Sequence, residues 1–167
     1  MIRESEFRAA LSRFASGVTV ITTRDAAGRP HGITVSAFCS VSADPPLVLA
    51  CIHKETASHY AFLERQAFVV NILTEDQQDV SRQFAEAAED KFQATAIVDA
   101  GNGLPLIENS LVSLECRVTT TYDGGDHTII VGAVERSLIS SGRPLVYFRG
   151  DYRQIGEIEG HDEDLLN

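Results

Sequence analysis

Hydroxyl side chains that interrupt an apolar pattern between residues 32 and 47 are the first groups in this sequence that could do chemistry. A strand of this kind can line a pocket with neutral hydrogen-bonding groups and closely approached backbone. Such a pocket suits a polar planar ligand better than a metal ion or a covalent intermediate. The hydroxyl residues, which precede a Pro-Pro corner, are Thr34, Ser36, Ser40 and Ser42.

A second polar stretch runs from His53 to Ser58 and leads from an apolar strand into a predicted helix. Backbone N–H groups at the start of a helix attract anions, and a lysine with nearby hydroxyls strengthens that attraction. Lys54, Thr56 and Ser58 therefore form a candidate anion site. A solvated surface lysine is the alternative interpretation of Lys54.

His127 stands at the start of a predicted strand, directly after Gly125 and Asp126. A histidine in that position is either structural or a ligand-binding group whose charge changes near neutral pH. Asp126 could orient the imidazole or serve only as a turn residue. Other histidines lack acidic or cysteine neighbours in a metal-like pattern and are interpreted as surface residues, namely His31, His59 and His161.

Two other kinds of site are excluded by spacing. No G-x-G-x-x-G motif follows a predicted strand, so a Rossmann nucleotide site is not expected. The cysteines lie far apart in apolar runs, without a C-x-x-C pair. We therefore expect Cys39, Cys51 and Cys116 to be small buried hydrophobic residues. Zinc ligands and a disulfide framework are not expected.

Length and charge indicate one acidic globular domain. The 167 residues suffice for one well-buried domain, predicted over 1–155, followed by an acidic tail over 156–167 with five acidic residues and no Lys or Arg. The net charge of −10 argues against nucleic acid or an anionic membrane as the main partner. No apolar run approaches the roughly 20 residues that span a bilayer, and the first residues lack a signal-peptide pattern. The cytoplasm is therefore the expected location.

The elements that must position these residues are mostly strands. Apolar and β-branched patterns predict strands over 18–23, 32 to the proline corner, 47–52, 67–73, 111–122, 127–137 and 144–148. Hairpin loops are predicted at 24–30 and 123–126. Short helices are predicted over 5–16, ending at Gly17, over 56–64, and from Thr74 with Gln77 as its capping-box partner. Residues 85–103 are expected to be irregular.

Strands at this close spacing, with only short helices between them, predict a mostly β, antiparallel barrel. One predicted strand is apolar on both faces, because Ile130 and Val134 point one way while Ile129 and Val131 point the other. This pattern predicts a closed barrel with a second buried surface, which could be a dimer interface.

Six stretches of the chain follow one another in a distinctive order. They are 14–23, 32–47, 68–73, 81–84, 125–132 with its Gly-Asp-His start, and 145–152. In this order they resemble the short-chain flavin reductase family, the reductase components of two-component flavin-dependent monooxygenases. The resemblance covers about residues 7–153. It implies a split β-barrel of the FMN-binding type and a homodimer, in agreement with the barrel predicted above.

The resemblance also implies a flavin site. Around the ring it places Thr34, Val35, Ser36, Ala37, Asn71, Ile72 and Leu73. Near the phosphate or ribityl chain it places Lys54, Thr56, Ser58, Ser81, Gln83 and, on the same helix, Phe84. Lys91 resembles a lysine near the outer end of the flavin, and Tyr152 and Arg153 close the nicotinamide side. His127 lies near the nicotinamide and is the candidate catalytic residue. The family often has serine at the position of Ala37, so a backbone contact is expected there.

The implied activity is NAD(P)H-dependent reduction of FMN or FAD by hydride transfer, with the reduced flavin supplied to a partner monooxygenase. Cofactors carry the chemistry of such a reaction, so it needs no catalytic triad, and none is evident. The donor is NADH or NADPH, and the lack of an arginine cluster for a 2′-phosphate favours NADH. One alternative is a tight FMN-binding electron carrier or an oxidase-type relative on the same fold. A barrel that binds another planar ligand, such as haem, is less favoured.

Overall fold

The computed structural model describes residues 1–88 and 91–156, which form three helices and twelve strands. The helices are α1 (Glu4–Leu11), α2 (His59–Arg65) and α3 (Gln78–Ala85). The strands are β1 (Ser16–Gly17), β2 (Thr19–Arg24), β3 (Pro30–Val35), β4 (Phe38–Ala43), β5 (Pro46–His53), β6 (Ala67–Ile72), β7 (Ile97–Asp99), β8 (Pro105–Ile107), β9 (Val112–Gly124), β10 (His127–Ile139), β11 (Val146–Phe148) and β12 (Asp151–Arg153). Beyond residue 156, the predicted acidic tail and His161 lie outside the described residues, so both remain predictions.

Seven strands form one antiparallel sheet in the order β3-β2-β6-β9-β10-β5-β4. The sheet curls around a single apolar core to which strands from both of its ends contribute. Among the described residues, no backbone ladder joins the two edge strands, β3 and β4. The predicted mostly β, antiparallel split barrel is confirmed, whereas the expectation of a closed barrel is wrong. We call the opening between the two edges the seam.

The segment predicted as one strand ahead of the proline corner is in fact two strands. β3 pairs with β2 and β4 pairs with β5, so the chain passes from one sheet edge to the other at Ser36 and Ala37. Both sides of this crossing are anchored. Thr19 Oγ1 donates to the Val35 carbonyl at 2.7 Å, and the Cys51 N–H donates to the Ala37 carbonyl at 3.0 Å.

Two apolar cores lie on opposite faces of β2. The first fills the barrel interior and includes Ile21, Phe62, Phe68 and Ile130. The second lies outside the barrel wall beneath α3 and contains Val18, Val20, Leu73, Phe84, Ile107 and Leu145. Alternate residues of β2 serve the two cores, which is why this strand is apolar on both faces.

β9 and β10 form the predicted hairpin. Its turn needs a positive φ at Gly125 (+79°), a conformation that glycine adopts without steric cost. In β10, Ile130 and Val134 pack into the barrel as predicted. On the opposite face Val131 is only 9% exposed, and Ile129 is half-buried.

The helices differ from the prediction at their ends. α1 stops at Leu11, five residues early, because the chain then turns into β1. α3 begins at Gln78, four residues after the predicted cap Thr74. Gln77 nevertheless reaches back as a capping partner does, since its Oε1 accepts from the Thr74 N–H at 3.1 Å. The stretch predicted to be irregular, 85–103, contains the short strand β7.

No helix in the described part of the chain is both long and apolar enough to cross a bilayer. Cys116 is buried, as predicted, but Cys51 is half-buried and Cys39 is exposed, because Cys39 lies on an edge strand. The prediction of surface positions for two histidines is wrong. His31 Nε2 lies 3.2 Å from buried Asp25, and half-buried His59 lies with Nε2 2.8 Å from a hydroxyl of β10.

Candidate functional site

The seam exposes Ser36 and Ala37 between the two sheet edges. Val35 instead belongs to the barrel core and is 5% exposed, while Thr34 is half-buried. Edge strands present backbone N–H and C=O groups that no neighbouring strand uses. A planar ligand at the seam could therefore be bound by backbone groups and by the Ser36 hydroxyl.

Three predicted site residues are joined into one hydrogen-bonded chain beside the seam. Thr34 Oγ1 donates to the Ser81 carbonyl at 2.7 Å, and Tyr152 Oη donates to Ser81 Oγ at 2.8 Å. The Arg82 guanidinium lies over the Tyr152 ring at 5.2 Å. Because Ser81 is only 1% exposed, its hydroxyl holds Tyr152 in place and is not a surface contact.

Other residues predicted to surround the flavin lie below the surface. Leu73 and Phe84 are 0% exposed and belong to the second core. Ile72 is half-buried against the barrel core. The side chains of Leu73 and Phe84 are therefore covered, and the flavin contacts expected at the three residues stay predictions.

Asn71 is also 0% exposed, and its amide is fully used inside the protein. Its nitrogen donates to the Val20 carbonyl at 3.0 Å and to Thr22 Oγ1 at 3.1 Å. Its oxygen accepts from the Ile107 N–H at 3.0 Å and from Ser113 Oγ at 3.3 Å. An amide has two donors and two acceptor sites, so none remains for a ligand. The Asn71 side chain is therefore committed to the protein interior, and the ring contact expected at Asn71 stays a prediction.

Gln83 and Lys91 bind each other and the end of α3. Gln83 Nε2 donates to the Lys91 carbonyl, and Lys91 Nζ donates to the Phe84 carbonyl at 3.0 Å. Burial lowers the pKa of the Lys91 ammonium, and nearby Glu86 partly opposes this effect. A cation at a helix C-terminus is favourably placed, so the position of Lys91 has a structural reason.

The candidate anion site lies where β5 leads into α2. Ser58 occupies the N-cap position and makes no side-chain capping bond. Thr56 Oγ1 donates to the His53 carbonyl. Lys54 Nζ donates to the Gly125 carbonyl at 2.5 Å. It also donates to the Asp123 carboxylate, and this second hydrogen bond lowers the pKa of Asp123. The lysine charge is therefore engaged with the β9–β10 turn.

His127 lies at the edge of this turn with its ring held by Asp126. The distance from its Nδ1 to Asp126 Oδ1 is 2.7 Å. A carboxylate can only accept, so Nδ1 carries the proton and Nε2 is left for other partners. The same hydrogen bond lowers the pKa of Asp126, although partial desolvation opposes it. Orienting His127 was one of two roles considered for Asp126, and this geometry supports it.

A second histidine, His53, faces His127 across the ladder between β5 and β10. The two rings meet edge to face, with centroids 4.9 Å apart. Sequence reasoning missed His53 as a site residue, because strand register was needed to place it beside His127. Its position at the polar end of an apolar strand was the only available signal.

The histidine pair and the seam lie on one edge of the barrel. Cys51 bonds to Ala37 at the seam, and His53 follows two residues later on the same face of β5. The edge thus combines exposed backbone, hydroxyls and two imidazoles. Among residues 1–88 and 91–156, no three His, Cys, Asp or Glu side chains come together as a metal site. This set of donors and acceptors fits the polar edge of an organic ring system such as a flavin.

The fold defines the class of the protein. The split barrel superimposes on an NADH:FAD oxidoreductase from Streptomyces globisporus, solved in complex with NAD and FAD fragments, with a TM-score of 0.89 and 32% identity over 93% of this chain and 94% of the other. Proteins of this class are flavin reductases, so the chain is an oxidoreductase.

Sequence comparison gives the family. Residues 11–156 match the family described as "Flavin reductase like domain". The chain is 41% identical to an NADH-dependent flavin reductase from a Rhodococcus species, over 93% of this chain and 88% of the relative. It is 42% identical to HsaB, the reductase subunit of a flavin-dependent monooxygenase from Mycobacterium tuberculosis, over 89% and 81%. Other relatives are longer, and the chain spans 47% of two of them. The protein belongs to the flavin reductase like family.

Proposed function

We propose that this protein is an NAD(P)H-dependent flavin oxidoreductase that reduces FMN or FAD by hydride transfer and supplies the reduced flavin to a partner monooxygenase. The observation that carries the proposal is the pair of imidazoles beside a seam of exposed backbone and hydroxyl groups. The names of the Rhodococcus and Mycobacterium relatives support the activity and the oxygenase partner.

In this proposal the seam holds the flavin ring. Ser36 and the backbone of Ala37 contact its polar edge, while Thr34 and Tyr152 hold α3 and β12 beside it. A bound flavin supplies the hydride acceptor, and the nicotinamide nucleotide supplies the hydride. The protein contributes position and charge, since the two rings must be held face to face.

The start of α2 is the proposed phosphate site. The Ser58 hydroxyl makes no capping bond, and the resemblance implies that Lys54, Thr56 and Ser58 lie near the flavin phosphate. Lys54 can approach a phosphate only if its ion pair with Asp123 breaks. We therefore assign Lys54 primarily to the β9–β10 turn and only secondarily to the phosphate.

His127 is the proposed catalytic residue. With its Nδ1 proton donated to Asp126, its Nε2 can accept from a carboxamide, or can carry a proton and place positive charge near the ring that receives the hydride. Preorganised positive charge near developing negative charge lowers a barrier without reorganisation.

The proposed assembly is a homodimer, and the proposed location is the cytoplasm. The apolar face predicted for α1 is exposed in this chain, with Phe7 and Leu11 each 53% and Phe14 75% exposed. Exposed apolar patches mark contacts with other chains, so α1 is available to a second copy. Light scattering on a sizing column measures the mass.

The activity is tested by mixing the purified protein with NADH or NADPH and excess FMN, FAD or riboflavin, and following the nicotinamide absorbance. Turnover with FMN or FAD, faster with NADH, is the expected result. No turnover with any pair contradicts the proposal. A yellow protein that retains stoichiometric FMN through dialysis, without turnover, would favour the electron carrier.

A further inference from the structure

His53 and His127 both lie near the Asp126 carboxylate, but only His127 is hydrogen-bonded to it. Asp126 Oδ1 lies 2.7 Å from His127 Nδ1, and Asp126 Oδ2 lies 4.0 Å from His53 Nε2. The rings are inclined at 83°, an edge-to-face arrangement at a separation typical of attractive aromatic pairs. Both side chains are only partly covered, with 40% of His53 and 36% of His127 exposed.

The backbone assigns the proton of His53. Its Nδ1 accepts from the N–H of Glu55 at 3.2 Å, so the neutral ring carries its proton on Nε2. That Nε2 lies 4.0 Å from the Asp126 oxygen that His127 does not use, which is too far for a direct hydrogen bond. The two neutral imidazoles therefore hold opposite tautomers, and the Nε2 of His127 is left as an unprotonated acceptor.

The turn that carries Asp126 is tied to β5 on the other side of His53. The Lys54 N–H donates to the Asp126 carbonyl at 2.9 Å, and the Lys54 ammonium donates to the Gly125 carbonyl. The Asp126 backbone is thus tied down, while its carboxylate is 75% exposed. Besides this carboxylate, the His127 ring meets the ring of His53.

We propose that His53 is a positioning residue: by its edge-to-face contact it holds the His127 ring in the orientation in which Nδ1 bonds to Asp126 and Nε2 faces the ligand. This inference rests on the proposed function, since it assigns His53 a part in that reaction. It adds a residue from β5 to a role that the resemblance gives to His127 alone.

The first experiment reads the tautomers without any turnover. Histidine labelled with ¹⁵N gives separate signals for protonated and unprotonated ring nitrogens. In the wild-type protein at pH 8, His127 is expected in the Nδ1–H form and His53 in the Nε2–H form. In His53→Ala, His127 is expected to show a mixture of tautomers. An unchanged His127 spectrum in that variant would overturn the proposal.

The second experiment separates kcat from binding. His53→Ala is expected to lower kcat with NADH about tenfold, while the flavin Kd changes less than about twofold. In a His127→Ala background, adding His53→Ala is expected to cause no further loss, because a residue that acts through His127 has nothing left to position. If the losses in kcat from the two substitutions multiply in the double variant, His53 acts independently of His127 and the proposal is wrong.

His31→Ala is the matched control. His31 also contacts a carboxylate, Asp25, and meets an aromatic ring, Tyr60, edge to face, but it lies at the other end of β3 from the seam. Its kcat is expected within about twofold of wild type, measured below the melting temperature of each variant. If the wild-type protein reduces no flavin, the proposed function fails, and the tautomer spectra still decide whether His53 positions His127.

Discussion

Phe84 of α3 lies directly over Gly32 of β3, so closely that a Cβ atom on Gly32 would be 2.5 Å from the phenyl ring. The Phe84 ring is fully buried and also meets Phe92 edge to face, with centroids 4.9 Å apart. Close-packed interiors leave such a ring little room to shift. Together with the hydrogen bond from Thr34 to Ser81, this approach fixes α3 against the strand that borders the seam.

Gly32→Ala is therefore expected to destabilise the protein by about 1–3 kcal/mol, the usual range for overpacking a core. Urea unfolding followed by circular dichroism measures the change. Gly17→Ala is the control, because a Cβ there meets nothing within 4 Å, and it should remain within about 0.5 kcal/mol of wild type. Equal stability of the two variants would mean that Phe84 can move aside.

Replacement of His127 tests the proposed catalytic role. His127→Ala is expected to lower kcat about tenfold or more, equivalent to ~1.4 kcal/mol of barrier. Its flavin Kd, measured by fluorescence quenching, should change much less, because the seam holds the flavin. An equal loss in kcat and in flavin affinity would make the histidine structural.

Tyr152→Phe removes the hydroxyl that binds Ser81 and so loosens β12 from α3. One buried neutral hydrogen bond contributes about 1 kcal/mol, which corresponds to a decrease in Tm of about 2–4 °C in a chain of this size. Differential scanning calorimetry measures the Tm, and flavin titration should show weaker binding. Tyr122→Phe, at a side chain exposed on β9, is expected to change neither. Equal Tm values and equal flavin affinities for Tyr152→Phe and Tyr122→Phe would mean that the hydrogen bond from Tyr152 to Ser81 contributes nothing.

Asn71→Ala separates a structural role from a binding role. The substitution leaves buried partners on β2, β8 and β9 without their hydrogen bonds, so the free energy of unfolding should fall by about 3 kcal/mol or more. Urea unfolding measures this loss, and flavin titration on the folded fraction at low temperature should give an almost unchanged Kd. Weakened binding at unchanged stability would instead support a contact between the Asn71 side chain and the flavin ring.

Asp25 makes stability depend on pH. Burial alone would raise the pKa of its carboxyl, but hydrogen bonds from His31 and from the backbone and side chain of Arg29 outweigh burial and hold the pKa well below its usual range. As pH falls, the unfolded chain takes up the proton first, near pH 4. The stabilisation is therefore complete at neutral pH and is lost from about pH 5 downward.

The comparison with Asp25→Asn isolates this contribution. The difference in unfolding free energy between wild type and variant, measured in urea, should be larger at pH 6 than at pH 3. A difference that stays constant across that range would show that the carboxylate charge at position 25 contributes nothing.

Local patterns in the sequence predicted most of the elements, because their causes are local. The turn at 123–126 was identified since glycine tolerates the positive φ that the structure has at Gly125. Alternation along 129–134 predicted a strand buried on both faces, and two packed surfaces account for it. Such patterns could not show that Ser36 and Ala37 carry the chain from one sheet edge to the other, because the alternation continues through the crossing.

The sequence by itself determined the class of fold, the polar strand and the order of motifs that mark the family. Composition, hydrophobic period and motif spacing are properties of the sequence alone, so no tertiary contact is needed to find them. Only the tertiary structure decided which polar groups are free. The resemblance makes Asn71 and Ser81 ligand contacts, but their side chains are used inside the protein. His53 stands at the polar end of an apolar strand and was not predicted as a site residue, but it faces His127. The physical reason is that burial and hydrogen-bond partners come from strand register and packing, which join residues far apart in the chain.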